Sequence, residues 1–216
     1  IATNGGAGVT NNINFNPTTA GQITVTGGVG NANGLINAGA GENVTYNGNG
    51  ATNNDVTVNI NQITGNNTGD GNVVAITTLA GLTVGPFTST GNAAFTATGV
   101  GSNVSTSGDI TSAGTLTLDA GSGDANVVVN ANNDLQGTAV TLVSGTGVNA
   151  LVSVANGADI TATTGNVSIT TPRLNMNPTG AAETNSINAT LGSITISQPN
   201  AAALVVNMDT NSSINA

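Results

Sequence analysis

Three aspartates recur at a constant step in the second half of the chain. Asp109, Asp134 and Asp159 lie 25 residues apart, and each directly precedes an apolar residue. Stacked carboxylates would offer the hard oxygen ligands that calcium prefers. The next two members of the column, Ser186 and Ser213, are poor calcium ligands but can accept hydrogen bonds at a turn, as aspartate does. We therefore expect a turn role, with calcium binding by Asp109, Asp134 and Asp159 as the alternative and no other cofactor.

Other residues that could do chemistry are few. The chain has no His and no Cys, and Arg173 is its only base. A nucleophilic triad needs a His or Lys base, and a zinc site needs Cys or His. The ten acidic residues are scattered along the chain. We therefore expect no enzymatic activity.

The charge balance restricts the possible partners. With a formal net charge of −9, the chain cannot supply the Lys and Arg side chains that neutralise nucleic-acid phosphates or anionic lipids. No window approaches the ~20 apolar residues of a membrane-spanning helix. The composition thus predicts neither nucleic-acid binding nor membrane insertion.

A column of small hydroxyl residues follows the same step. Thr117, Thr141, Ser168 and Thr195 each stand between two apolar residues, so they should face outward from a strand. Threonine arrays on β-helix faces occur in ice-binding proteins, which makes ice binding one alternative function. Thr is also a favoured residue on any exposed strand.

The elements that must position these columns are short strands that repeat. One column of apolar residues has steps of 25, 25, 27 and 27, and a second column of pairs has steps of 24, 27 and 27. The first column is Ile110, Leu135, Ile160, Ile187 and Ile214; the second is Leu116/Leu118, Val140/Leu142, Val167/Ile169 and Ile194/Ile196; a looser third is Val127/Val129, Val152/Val154, Leu174/Met176 and Leu204/Val206. Such a period is typical of solenoids.

This pattern predicts an all-β fold, a parallel β-helix (solenoid) of eight or nine coils with three short strands per coil. We expect a single solenoid over residues 1–216, irregular with longer loops in 1–108 and regular in 109–216. In the first half, Ile76 aligns with Ile110, the pair Leu82/Val84 aligns with Leu116/Leu118, and 65–72 reads as loop. Gly114, Gly165 and Gly192 precede the second column by two residues, which predicts a backbone angle that other residues avoid.

The competing fold is a β-sandwich, as in a donor-strand-exchanged pilus subunit. A sandwich also has short strands separated by turns at about 8–12 residues. It has no reason to reuse one Ile-x-Ile pattern at a fixed step, whereas stacked coils bury equivalent residues against each other. The repeat therefore favours the solenoid.

Residues 108–121 and 158–171 resemble the repeats of filamentous-haemagglutinin-like exoproteins and autotransporter passengers. The resemblance implies a right-handed parallel β-helix and a structural or adhesive role in a bacterial protein at the cell surface or outside the cell. Because the chain ends within a repeat, at Ser213–Ala216, we expect further coils of the same chain or other copies to stack on its ends. A host or cell-surface receptor is the other expected partner.

Overall fold

The computed structural model describes residues 81–176, 183–200 and 203–216 throughout; within residues 1–80 it describes eight strands and the side chain of Ile63. These eight strands are β1 (Ala2–Thr3), β2 (Asn11–Asn14), β3 (Gln22–Gly27), β4 (Gly34–Asn37), β5 (Asn43–Gly48), β6 (Val56–Asn59), β7 (Gln62–Asn67) and β8 (Val73–Thr77). The described residues contain no helix.

Sixteen strands follow. They are β9 (Gly81–Ser89), β10 (Ala93–Ala97), β11 (Asn103–Thr106), β12 (Ile110–Ser112), β13 (Leu116–Asp119), β14 (Val127–Val129), β15 (Leu135–Gly137), β16 (Val140–Val143), β17 (Leu151–Val154), β18 (Asp159–Ala162), β19 (Val167–Thr170), β20 (Arg173–Met176), β21 (Asn185–Ala189), β22 (Ile194–Ser197), β23 (Val205–Met208) and β24 (Ser212–Asn215). Most have the period-2 alternation of buried and exposed residues that Val, Ile and Thr favour in strands.

The strands form two stacks in which neighbours in space come from successive coils. One sheet has nine strands in the order β2, β4, β6, β8, β10, β13, β16, β19, β22, and the other has fifteen. The pairings of the described strands are parallel throughout, as in β13 with β16 and β18 with β21. The fold is therefore an all-β parallel β-solenoid, as predicted. The sandwich alternative is wrong, because sandwiches are built from antiparallel sheets.

The long strand β9 marks a change in coil architecture. It pairs with β7 on one side, and on the other its first half pairs with β11 and its second half with β12. Between Ile63 and Gly65 of β7 the register slips, since their partners Val84 and Phe87 enclose one extra residue. Pro86, which has no N–H to donate, lies in this bulge, a common place for proline in a sheet.

This fork corrects the predicted coil architecture. From β10 to β24 the chain makes about five turns, each with three strands. Before β9 the strands alternate between the two sheets, so each turn there contributes two strands. A solenoid of eight or nine coils with three strands each is therefore wrong. Before β9, each turn has one strand in each of the two sheets. After the bulge at Pro86, each turn has two strands in the fifteen-stranded sheet, because β9 pairs with both β11 and β12.

Coil size also differs from the prediction for residues 1–108. The aligned first residues of the nine-stranded sheet are Asn11, Gly34, Val56, Val73, Ala93, Leu116, Val140, Val167 and Ile194. The step is 17 between Val56 and Val73 but 27 between Val167 and Ile194. Coils in the first half are thus shorter, not longer, than those in the second.

Three predicted alignments are wrong. Ile76 pairs with Thr96 rather than aligning with Ile110, and Leu82 and Val84 pair with Val104 and Thr106 in the fifteen-stranded sheet. Leu174 and Met176 pair with Val206 and Met208, two residues beyond the predicted Leu204/Val206. Strand β7 extends to Asn67, into the stretch that we expected to be loop.

The predicted columns form a large part of the core. Ile110, Leu135, Ile160 and Ile187 are fully or almost fully buried and pair in sequence along the stack. The pairs that begin at Leu116, Val140 and Val167 are buried on the opposite sheet. Each such side chain contributes about 1.5–3 kcal/mol when fully buried. Ile194, also expected to be buried, is only partly so, because no described strand covers the last coil.

The corner glycines were placed correctly but for the wrong reason. Among the described glycines, positive φ occurs at Gly101, Gly123 and Gly157, and not at Gly114, Gly165 or Gly192. Instead, a Cβ on Gly165 would lie 3.1 Å from both the Ala139 Cβ and the Thr138 oxygen of the preceding coil. A Cβ on Gly192 would meet the backbone of Gly165 in the preceding coil still more closely, so the close approach of successive coils, and not a positive φ, favours glycine at these corners.

Candidate functional site

The three predicted aspartates form a hydrogen-bonded column along the solenoid. Asp109 Oδ1 accepts the backbone N–H of Asp134 at 2.9 Å, and Asp134 Oδ1 accepts that of Asp159 at 3.0 Å. Asp159 Oδ1 accepts both the N–H and the hydroxyl of Ser186, at 2.8 and 2.7 Å. Each carboxylate therefore satisfies a donor of the following coil at the point where a strand begins.

This arrangement differs in one respect from the predicted turn role. The acceptor bonds the backbone of the next coil rather than of its own turn, because β12, β15, β18 and β21 stack in register. Among the described residues, no group of three or more His, Cys, Asp or Glu side chains could hold a metal ion. The hydrogen bonds favour a structural role for the three aspartates as acceptors at the corner. Calcium binding by Asp109, Asp134 and Asp159 stays a hypothesis.

The aspartate column belongs to a wider set of contacts that we call the corner ladder. In each contact, a side-chain oxygen of one coil accepts the backbone N–H of a residue in the next coil. The acceptor and donor pairs are Asn92/Thr115, Asn103/Asn126, Thr106/Asn130, Asp109/Asp134, Asp124/Asn149, Asp134/Asp159, Asp159/Ser186 and Asn166/Ser193. The acceptor is always in the earlier coil, so the ladder runs in one direction along the solenoid.

The predicted hydroxyl column faces outward. Thr117, Thr141 and Ser168 are partly exposed and Thr195 is exposed, and the four pair in register from β13 to β22. The neighbouring outward column is mixed: Asp119, Val143, Thr170 and Ser197. The Thr170 and Ser197 hydroxyls lie 3.2 Å apart, as hydrogen-bonded rungs of this second column.

Asp119 is the acidic residue of this sheet face. It lies between Thr96 and Val143 in adjacent rungs. Burial raises the pKa of its carboxyl above the usual 3.8, because partial removal from water disfavours the charged form. The carboxylate thus interrupts the hydroxyl face with a group that is costly to ionise.

Arg173 lies at a corner and not in a reactive cluster. The Thr171 hydroxyl donates to the Arg173 carbonyl oxygen at 2.8 Å and lies 3.3 Å from its backbone nitrogen, which closes a tight turn around Pro172. In the described ranges, Arg173 forms no ion pair with an acidic residue. The structure therefore does not bring Arg173 together with an acidic side chain in this part of the chain.

A further apolar surface lies at the end of the stack, where the sequence predicted stacked coils without identifying the exposed residues. Val206 and Met208 are 41% exposed there, although the residues with which they pair one coil earlier, Leu174 and Met176, are fully buried. The sequence of β23 resembles that of a buried strand. Val206 and Met208 are exposed because β23 is the last described strand on its side of the stack, and not because of their residue types.

The described residues contain no helix that is long and apolar enough to cross a membrane. No protein-family model, curated protein or solved structure matches this chain. The functional argument therefore depends on the geometry of the chain itself, namely a stack of parallel coils tied together by the corner ladder.

Proposed function

We propose that this chain is a structural and adhesive segment of a bacterial rod or filament that lies outside the cell or on its surface. The solenoid is taken to wind right-handedly, since parallel β crossovers are right-handed in nearly all proteins. It is not an enzyme in this proposal, and its partners are stacked coils and a surface receptor. The filamentous-haemagglutinin-like and autotransporter-passenger resemblance of residues 108–121 and 158–171 supports the same role.

One observation carries the proposal. Nine strands, from β2 to β22, pair in sequence within one sheet, each from a successive part of the chain. Such a stack extends by about 4.8 Å per added strand, so that the fold builds length. The polar side chains of the corner ladder join one coil to the next by hydrogen bonds.

The outward sheet faces would supply the adhesive surface. They present small hydroxyl and amide side chains, such as Thr141 and Asn188, in regular rows. A receptor for such a face would be polar and uncharged or weakly basic, because the chain carries a net charge of −9. Because these side chains repeat at the spacing of the strands, a receptor could form many equivalent weak contacts with them.

Antibodies against the folded chain provide the test. They should label intact, unpermeabilised cells of the source organism, and the purified chain should compete with those cells for attachment to a surface. Labelling that appears only after permeabilisation would overturn the location. Surface labelling without any competition would leave a structural rod and remove adhesion from the proposal.

Ice binding is the second candidate, favoured only by the outward column Thr117, Thr141, Ser168 and Thr195. The adjacent column contains Asp119 and Val143, so the hydroxyl array is one column wide over those rungs. The parent and a Thr117→Val/Thr141→Val variant should be compared in thermal hysteresis and ice-recrystallisation assays. Activity in the parent that is lost in the variant would support this function, and no activity in either assay would remove it.

A further inference from the structure

One outward side of the three-stranded coils carries the only base of the chain. We call it the arginine face, and it consists of the outward residues of β11, β14, β17, β20 and β23, which pair in sequence along the stack. Arg173 lies between Leu151 and Val205 in adjacent rungs of this face. The other outward residues of these five strands are Asn, Ser, Val and Leu, so none of them is acidic.

The nine-stranded sheet presents an outward face with one charge of the opposite sign. We call it the Asp119 face, and it consists of the outward residues of β10, β13, β16, β19 and β22. Asp119 lies between Thr96 and Val143 in adjacent rungs. The remaining outward residues of these five strands are Ala, Thr, Val and Ser, which carry no charge. The two faces therefore carry one charge each, and the two charges are opposite.

Neither charge is paired within the described part of the chain. Arg173 forms no ion pair there, and the Asp119 carboxylate forms no hydrogen bond with a described residue. Both side chains are only partly exposed, and their neighbours in the rungs include the apolar Leu151, Val205 and Val143. A partly buried charge interacts more strongly with an opposite charge than a fully solvated one does, because less water screens the pair. Each group is therefore suited to an opposite charge supplied by another molecule.

The third side of these coils, formed by β12, β15, β18, β21 and β24, matches Arg173 less well. Its carboxylates are those of the aspartate column, which already accept backbone N–H groups of the following coil. The other outward residues of β12, β15, β18 and β21 are polar, as Gln136 is, whereas Val143 lies directly beside Asp119. Contact with the Asp119 face would therefore cover apolar groups as well as pair the charges.

We propose that the arginine face of one copy of this chain packs side by side against the Asp119 face of a second copy, so that Arg173 pairs with Asp119 of that copy. The apolar side chains of Leu151 and Val205 then lie against the Val143 region. Because each copy has both faces, the contact is heterologous and can repeat from rod to rod. The proposal goes beyond the function given above and depends neither on a cell-surface location nor on adhesion.

A single contact of this kind is expected to be weak. Strands at a spacing of about 4.8 Å, each about 13 Å long, give a face of roughly 300 Å² for the five strands. Stable interfaces bury about 800 Å² on each partner, so the chain should stay monomeric in dilute solution. The net charge of −9 also opposes the approach of two copies, although salt screens this repulsion. Two rods that touch along several coils would add such contacts.

Engineered cysteines can trap this weak contact, because the chain has no cysteine of its own. An isotope-labelled Val143→Cys variant is mixed in turn with Leu151→Cys and with Val205→Cys at about 0.15 M salt. Disulfide formation under mild oxidation is followed by mass spectrometry. One of the two mixtures should form the mixed disulfide about tenfold faster than the same partner does with Gln136→Cys, a variant of the third side. Which mixture reacts faster shows whether the two rods run parallel or antiparallel.

Charge reversal provides the matched control, with circular dichroism to check that each variant is folded. Arg173→Asp in the arginine-face partner should slow the mixed disulfide about tenfold, because like charges then meet. Asp119→Arg in the Val143→Cys partner should restore the rate, and Arg173→Gln, which only removes the charge, should give an intermediate rate. The proposal is wrong if Arg173→Asp leaves the rate unchanged or if Asp119→Arg does not restore it. It is also wrong if Gln136→Cys reacts as fast as Val143→Cys.

Discussion

At the residue scale, the corner ladder gives a structural role to Asn, Asp and Thr side chains at the corners of the described coils. A strand that begins at a corner leaves a backbone N–H that its own sheet does not satisfy. A short side-chain oxygen one coil earlier accepts it, as Asn103 does for Asn126 at 2.7 Å. Asn and Asp are unfavourable both in helix interiors and in strand centres. In this solenoid they occupy the positions where coils are joined.

The first prediction concerns Asp134 in this ladder. Asp134→Ala should lower the free energy of unfolding by about 0.5 to 1 kcal/mol, because the Asp159 N–H loses its acceptor at an exposed corner. Asp134→Asn retains the Oδ1 acceptor and should melt close to the parent. Chemical denaturation of the three proteins measures the difference.

The same proteins test the calcium hypothesis. If Asp109, Asp134 and Asp159 act as corner acceptors, calcium and a chelator should leave the melting temperature of the parent unchanged. An increase of several degrees with calcium in the parent, absent in Asp134→Asn, would show that the column binds the ion.

The second prediction concerns Asp119 and pH. Since its pKa is raised by burial, the folded protein binds this proton more tightly than the unfolded chain, and ionisation lowers stability as the pH rises above 3.8. Asp119→Asn should therefore melt higher than the parent at pH 7, with the gain vanishing near pH 3. Thr117→Asn, on the same strand face, removes no charge and should give no pH-dependent gain. Identical differences at pH 3 and pH 7 for Asp119→Asn would contradict the assignment.

At the element scale, the sequence was sufficient wherever the repeat was regular. The Ile110 and Leu116 columns were predictable because branched residues alternate with Thr and Ser at nearly constant steps. The fork at β9 was not predictable from the sequence. It depends on one additional residue around Pro86, and the residues before and after Pro86 have the same period-2 pattern. The Val206/Met208 register was missed because it lies two residues away from an equally apolar alternative.

The third prediction tests the close approach of coils at the corner glycines. Gly192→Ala should cost about 1–3 kcal/mol, because its Cβ would press against the backbone of Gly165 in the preceding coil. Gly101→Asn is the control: Gly101 has a φ of 72° and no other heavy atom within 4 Å of an added Cβ, and Asn tolerates that conformation. If Gly192→Ala unfolds at the same denaturant concentration as the parent, the corner does not require glycine.

At the scale of the whole molecule, stability is expected to be a sum over coils and their neighbouring contacts. The described strand pairings join one coil to the next, as β13 joins β16 and β16 joins β19. The acidic net charge of −9 is spread along the stack, and the corner carboxylates each hold a backbone donor. Length can therefore change by whole coils without altering the contacts that remain.

The fourth prediction follows from that modularity. Deleting residues 139–165 removes β16, β17 and β18 and joins Thr138 to Asn166, so β19 would stack on β13, β20 on β14 and β21 on β15. The shortened chain should keep its β circular-dichroism spectrum and melt cooperatively, at a lower temperature because one interface between coils is lost. Deleting residues 139–152 is the control, since it removes about half a coil and moves strands of one sheet onto the other. If both shortened chains melt alike, the coil is not the unit from which this protein is built.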